Sequence, residues 1–162
     1  VPEVITDTSP VQYLYQTNLL DLLPTLYGQI TLPQAVADEL AEGLSRGVPL
    51  PNPALLSWMT LRRARDWALL PLVTELGAGE QEALALAVEI PDSLVLLDDA
   101  LARRYARILG ISFTGTLGVL LKAKQAGYLS AIESVLDQLD TLRFRLHPST
   151  RAAVLQLAGE LP

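Results

Sequence analysis

The sequence predicts an α/β fold in which a mostly parallel sheet is covered by helices, and three observations predict it. Short apolar runs alternate with longer helical stretches along the chain. The strongest run, residues 93–97, is continuously apolar from Leu94, as expected of a strand buried on both faces. Helix-start residues follow the runs at once, as at Asp7-Thr8-Ser9-Pro10, Pro33 and Asp98-Asp99.

Val4-Ile5 is the first strand, and the tetrad Asp7 to Pro10 opens a helix whose spacing continues through Tyr13, Leu14, Leu19, Leu22 and Leu23. Residues 29–32 form the next strand, and Pro33 starts a helix through Leu40. Between Gly43 and Pro53 the composition turns to Gly, Ser and Pro, which marks a surface loop; too little chain precedes it for a separate core. Residues 55–76 are ambiguous, with a short helix near Trp58 and an extended segment after it. Gly79 then begins a helix over 80–89. After the strand at 93–97, a helix runs from Ala100 to Leu109 and stops at Gly110, where glycine ends helices. Residues 111–113 make a short strand. Thr114-Gly115-Thr116 leads into a helix ending near Gly127, and further helices cover 130–140 and 148–158. No fixed-period repeat is present, so the expectation is one domain over 1–162.

Composition narrows the chemistry. Half of the 162 residues are hydrophobic and 19% are charged, which excludes wholesale disorder. No apolar run reaches the ~18 residues that span a bilayer. The N-terminus lacks a basic segment followed by an apolar stretch, so no secretory signal is expected, and a cytoplasmic location is the expectation. With no cysteine and a single histidine, His147, thiolate sites, histidine-rich zinc sites and cysteine nucleophiles are unavailable. His147 precedes Pro148 and reads as a cap-adjacent surface residue. A net charge of −6 argues against a generic nucleic-acid coat, although arginines bunch at 62, 63 and 65, at 103, 104 and 107, and at 143, 145 and 151. Each bunch is either a local basic face or a solvated helix surface. Neither common phosphate-binding glycine loop is present; Thr114-Gly115-Thr116 offers either a phosphate-binding turn or a helix cap.

What remains is carboxylate chemistry. In an open parallel sheet, ligands gather at the carboxyl ends of strands. Asp7 follows the first strand, and Asp98 with Asp99 follows the strongest one; Glu39 and Glu80 lie near helix starts or inner faces. Hard divalent cations such as Mg²⁺ take oxygen ligands, and a cluster of carboxylates can hold one or two of them for in-line displacement at a phosphodiester. Each acid also has a structural alternative. Asp7 can cap the following helix, though Thr8 and Ser9 can do so in its place. Glu39 can be an exposed acid at the edge of an amphipathic face. Glu80 shares a face with Leu84 and Ala87 and turns toward the sheet; Glu82 shares one with Leu86 and Glu89 and turns toward solvent, so Glu80 is preferred. Asp99 is assigned mainly to the cap of the next helix and Asp98 to metal, with the roles exchangeable.

Together these segments resemble the PIN-domain nucleases, within a PIN-like branch of prokaryotic proteins. The resemblance rests on Ile5 to Pro10, Leu32 to Leu40, Leu76 to Ala83, Leu96 to Arg103 and Gly110 to Leu120, in that order. It implies a three-layer, Rossmann-like α/β/α fold with a central, mostly parallel sheet. It also implies an Mg²⁺- or Mn²⁺-dependent ribonuclease with Asp7, Glu39, Glu80 and Asp98 as its acids; Asp99, exchangeable with Asp98, stays a further metal candidate. The third acid is commonly aspartate in toxin members, so glutamate at 80 is a departure. Many such proteins are toxins restrained by an antitoxin protein, and the resemblance suggests that role here.

The leading expectation is therefore a metal-dependent endoribonuclease acting on RNA, with single-stranded RNA as the candidate substrate and arginines steering phosphates. The competing one is a catalytically inactive module of the same fold that binds nucleic acid or a protein partner. A phosphorylation receiver, suggested by Leu94 to Asp99, is set aside because no later strand ends in aspartate. The Leu- and Ala-rich stretch 117–126 offers either a homodimer face or a buried helix, the latter preferred.

Overall fold

The computed structural model describes residues 2–67 and 75–161. Five parallel strands, β1 (Val4–Thr6), β2 (Ile30–Pro33), β3 (Met59–Arg62), β4 (Leu94–Leu96) and β5 (Ser112–Thr114), form one sheet in the order β3-β2-β1-β4-β5. The chain winds outward from β1 to β3, crosses back through a helix to β4 and continues to β5. The order thus reverses between β1 and β4, whose carboxyl ends flank the crevice where such folds place ligands.

Eight α-helices among the described residues cover the sheet: α1 (Thr8–Gln16), α2 (Leu22–Tyr27), α3 (Gln34–Ser45), α4 (Ala78–Glu89), α5 (Ala100–Ile108), α6 (Thr116–Gln125), α7 (Glu133–Thr141) and α8 (Pro148–Leu157). Strand alternation divides the interior in two. Val4, Ile30, Leu32 and Leu96 face one side, packed with Val11, Leu14, Leu23, Val36, Leu40, Val119, Leu120 and Leu136. Ile5, Val95 and Leu97 face the other, against α4 residues 83–87 and Ala102 and Ala106 of α5. This is the three-layer α/β/α arrangement, here with every strand pair parallel.

Most elements lie where the residues place them, with two differences. The first helix does not continue through Leu19 to Leu23: it stops at Gln16, Asn18 takes a left-handed φ of 60°, and α2 begins separately at Leu22. The helical turn expected near Trp58 is a 3-10 turn over Pro53–Leu55, opened by the Asn52 side chain, and Trp58 instead leads into β3. The ambiguous segment 55–76 lies partly outside the described residues. The stretch 117–126 is a packed helix: Val119, Leu120 and Ala123 of α6 are buried within the chain, where α6 meets α1, α2 and α8. No helix of the described residues is long and apolar enough to cross a membrane.

Candidate metal and nucleic-acid site

Backbone pairing sets the acids side by side. The Asp7 N–H donates to the Leu96 carbonyl at 3.0 Å, carrying the β1–β4 ladder past the strand ends, and the Leu97 N–H donates to the Thr114 carbonyl at 2.7 Å. Asp7, Asp98 and Thr116 therefore leave three adjacent strands at the same edge. Asp7 sits at the N-cap position of α1 but makes no capping bond with its side chain, so the structural alternative for this acid is not the one realised. It is buried, 3% exposed. Burial pushes its carboxyl from the ordinary 3.8 up to about 8, opposed by the Thr8 N–H and reinforced by the charges of Glu80, Glu39 and Asp98. All four acids thus share one electrostatic neighbourhood.

Glu39 projects from the second turn of α3, where Thr8 Oγ1 donates to its Oε2 at 2.5 Å and the Gly79 N–H to its Oε1 at 2.9 Å. Gly79 is required for this approach, since a Cβ there would stand 2.8 Å from the Glu39 carboxylate. Glu80 lies in the first turn of α4 and folds back onto the N-cap Gly77, half of a capping box. Burial raises its carboxyl to about 7, helped by the charges of Asp99 and Glu39 and opposed by the Gly77 N–H. Asp98 accepts from the Thr116 N–H at 2.8 Å and the Thr116 hydroxyl at 2.7 Å. A Cβ on Gly115 would lie 2.6 Å from Asp98 Oδ1 and would collide with the Arg103 guanidinium. Burial raises the Asp98 carboxyl, while Thr116 and then Arg103 pull it back.

The two aspartates after β4 divide as the main assignment has it for the cap. Asp99 accepts from the Ala102 N–H at 2.8 Å and caps α5, while Asp98 turns to Thr116 and Arg103. The Thr114-Gly115-Thr116 turn was open to a phosphate or a cap; its donors are directed at Asp98. The expectation for Glu82 is overturned. It is 2% exposed, not turned to solvent, and it accepts from the Ala35 N–H at 2.7 Å and the Ala64 N–H at 3.0 Å. Because Pro33 leaves α3 without a capping side chain, Glu82 supplies that cap from another helix. It serves the scaffold, and Glu80 is the α4 acid that joins the cluster.

Sequence reasoning grouped Arg103 with its neighbours and missed its place. Its Nε donates to the Leu97 carbonyl at 2.6 Å, its guanidinium lies 5.3 Å from the Phe113 ring centre, and one terminal nitrogen is 4.0 Å from Asp98. Only the helical offset from Asp99 hinted at this: four residues on, Arg103 rises on the side of α5 that meets β5. Among the other arginines, Arg62 pairs with Glu3 and Arg151 with Asp137, both away from the acids in sequence and element. His147 accepts from the Ser149 N–H and caps α8, as its position before Pro148 suggests.

The donor set is wholly hard oxygen, which suits Mg²⁺ or Mn²⁺, and two glycines keep room for its carboxylates. As the side chains stand, no three acids of the described residues converge closely enough to share one ion. The reason is visible in the bonds above: Glu39, Glu80 and Asp98 each lean on neighbouring N–H or O–H donors, which keeps like charges apart. The sequence profile of a family described as PIN domain matches residues 3–160. No curated protein sequence matches the chain closely enough to lend it a function.

Proposed function

The chain belongs to the PIN-domain family, whose members are generally nucleases, and from that premise we propose that it is a cytoplasmic, metal-dependent endoribonuclease. One observation carries the reading: four carboxylates from four separate segments share one electrostatic neighbourhood at the carboxyl edge of the sheet, with Asp7 buried among them and raised to about 8. Nothing in folding requires a buried acid to be kept beside three others. A shared cationic ligand gives a reason.

Asp7, Glu39, Glu80 and Asp98 would hold Mg²⁺ or Mn²⁺, with Asp99 available beside Glu80. The bound cation supplies Lewis acidity and a water of lowered pKa. The chain's own residues do the rest. Thr116 and Arg103 fix the Asp98 carboxylate, and Thr8 and the Gly79 N–H fix Glu39. The free edge of the Arg103 guanidinium offers N–H donors to a scissile phosphate. A carboxylate not engaged with the cation orients the attacking water and takes its proton.

Labelled RNA incubated with Mn²⁺ or Mg²⁺ and either wild type or the double variant Asp7→Asn, Asp98→Asn tests this. Cutting by wild type alone supports the proposal; equal cutting by both sinks the site assignment. A toxin restrained by an antitoxin protein is the cellular role the family suggests, and growth arrest on induction of wild type, but not of the double variant, would support it. The separation of the acids favours a second reading, an inactive module that binds nucleic acid or a protein partner. RNA binding without shortening at any metal concentration would select it.

A further inference from the structure

Beside the acids, at the same edge of the sheet, a cavity of about 380 Å³ opens between the start of α3 and the segment leaving β3. Its size falls within the ~300–1,000 Å³ of small-molecule sites. Gln34 and Asp38 of α3, Arg63 and Trp67 beyond β3, and Glu82 of α4 line it. Asp38 directly precedes Glu39, and Glu82 lies two residues after Glu80. The cavity therefore opens at the carboxyl ends of β2 and β3, and none of the four acids lines it.

Its two acids are already engaged. Glu82 accepts from two backbone N–H groups, and Asp38 Oδ1 accepts from Gln34 Nε2 at 3.0 Å. Arg63, in contrast, is exposed and makes no ion pair among the described residues. Trp67 is 43% exposed and joins neither hydrophobic cluster of the described residues, whereas Trp58 packs against the core. Among the described residues, no packing accounts for an indole and an unpaired guanidinium lining one cavity.

We propose that this cavity is a nucleotide subsite for single-stranded RNA, in which Trp67 stacks a base and Arg63 binds the adjoining phosphate; the inference rests on the RNA-directed reading above. A flat π face recognises an unpaired base, and a guanidinium suits a phosphate. In a duplex both faces of each base are covered by neighbours, so the subsite selects single strands.

The test is binding in EDTA, where no cutting occurs, with a Trp58→Phe background so that Trp67 is the sole tryptophan. A mixed-sequence single-stranded RNA decamer should quench the indole emission saturably, and the matching duplex should not. Anisotropy of the labelled decamer should show binding weakened about tenfold by Trp67→Ala and by Arg63→Ala, with Trp67→Phe retaining most of it. Circular dichroism should show both alanine variants folded, as their exposure demands. No quenching, or decamer binding by folded Trp67→Ala at wild-type affinity, overturns the subsite. The nuclease reading fails separately: wild type that never cuts RNA with metal, yet loses RNA binding on Trp67→Ala, keeps the subsite and removes the catalysis.

Discussion

Replacing Asp7 by asparagine should stabilise the metal-free protein, and the gain should grow with pH. The Asp7 carboxyl moves from 3.8 to about 8 on folding because it is buried among like charges. A raised pKa of this kind leaves stability intact below 3.8, where the group is protonated in both states, and removes it progressively as pH rises toward 8. Each pH unit in that window costs about 1.4 kcal/mol. At pH 7 the ceiling is therefore about 4 kcal/mol, and relaxation around the buried charge brings the expected value to about 2–4 kcal/mol. Asparagine has nearly the same shape, keeps an oxygen to accept the Thr8 N–H and never ionises. For a chain of this size the gain corresponds to a Tm rise of roughly 5–15 °C. Urea unfolding and thermal melts in EDTA, at pH 5 and pH 8, measure it; the difference between variant and wild type should at least double between them. An equal difference at both pH values, or a variant less stable at pH 8, would refute the reasoning.

Other outcomes follow from the same geometry. Metal affinity of the wild type, read by titration calorimetry, should rise by up to about fiftyfold between pH 6 and 7 and about tenfold between pH 7 and 8, because Asp7 and Glu80 must both lose protons to bind, and proton release should accompany binding. Gly79→Ala should displace the Glu39 carboxylate and lower metal-dependent cleavage about tenfold or more, while Tm stays within a few degrees because alanine suits the first turn of α4. Glu82→Ala leaves the Ala35 and Ala64 N–H groups without their acceptor and should cost about 2–4 kcal/mol in urea unfolding, with Glu82→Gln costing less.

The elements that were legible in the sequence carry one clear periodicity or one clear stop. The apolar run at β4 and the aspartate pair after it, the proline-led starts of α3 and α8, and Gly110 at the end of α5 all speak through local chemistry. Asp99 as the α5 cap follows from position alone. Glu82 was misjudged because α4 has no polar face to read: its residues 82–87 are all buried, between α3 and the sheet, so helical spacing could not tell inside from outside. The break after Gln16 was hidden because Leu19, Leu22 and Leu23 keep helical spacing across a left-handed Asn18. The acids could be named, but their partners could not. That Thr8 holds Glu39 and Thr116 holds Asp98 depends on which segments the sheet order makes neighbours, and no local pattern encodes that.

Capping between distant segments sets an order of assembly. The start of α3 is satisfied by Glu82, 47 residues further along the chain. The start of α7 is satisfied in the same way by Glu160, which accepts from the Ile132 and Glu133 N–H groups and from Lys124, contacts that hold its carboxyl below the ordinary range. On a growing or refolding chain, the Ala35 N–H in the first turn of α3 has only water to accept it until α4 docks beside it. The helix that presents Glu39 is therefore completed only when the helix that presents Glu80 arrives, and the two acids come into register in a single non-local event. Docking of α4 on α3 is thus the step that both completes the α3 start and brings Glu39 and Glu80 together.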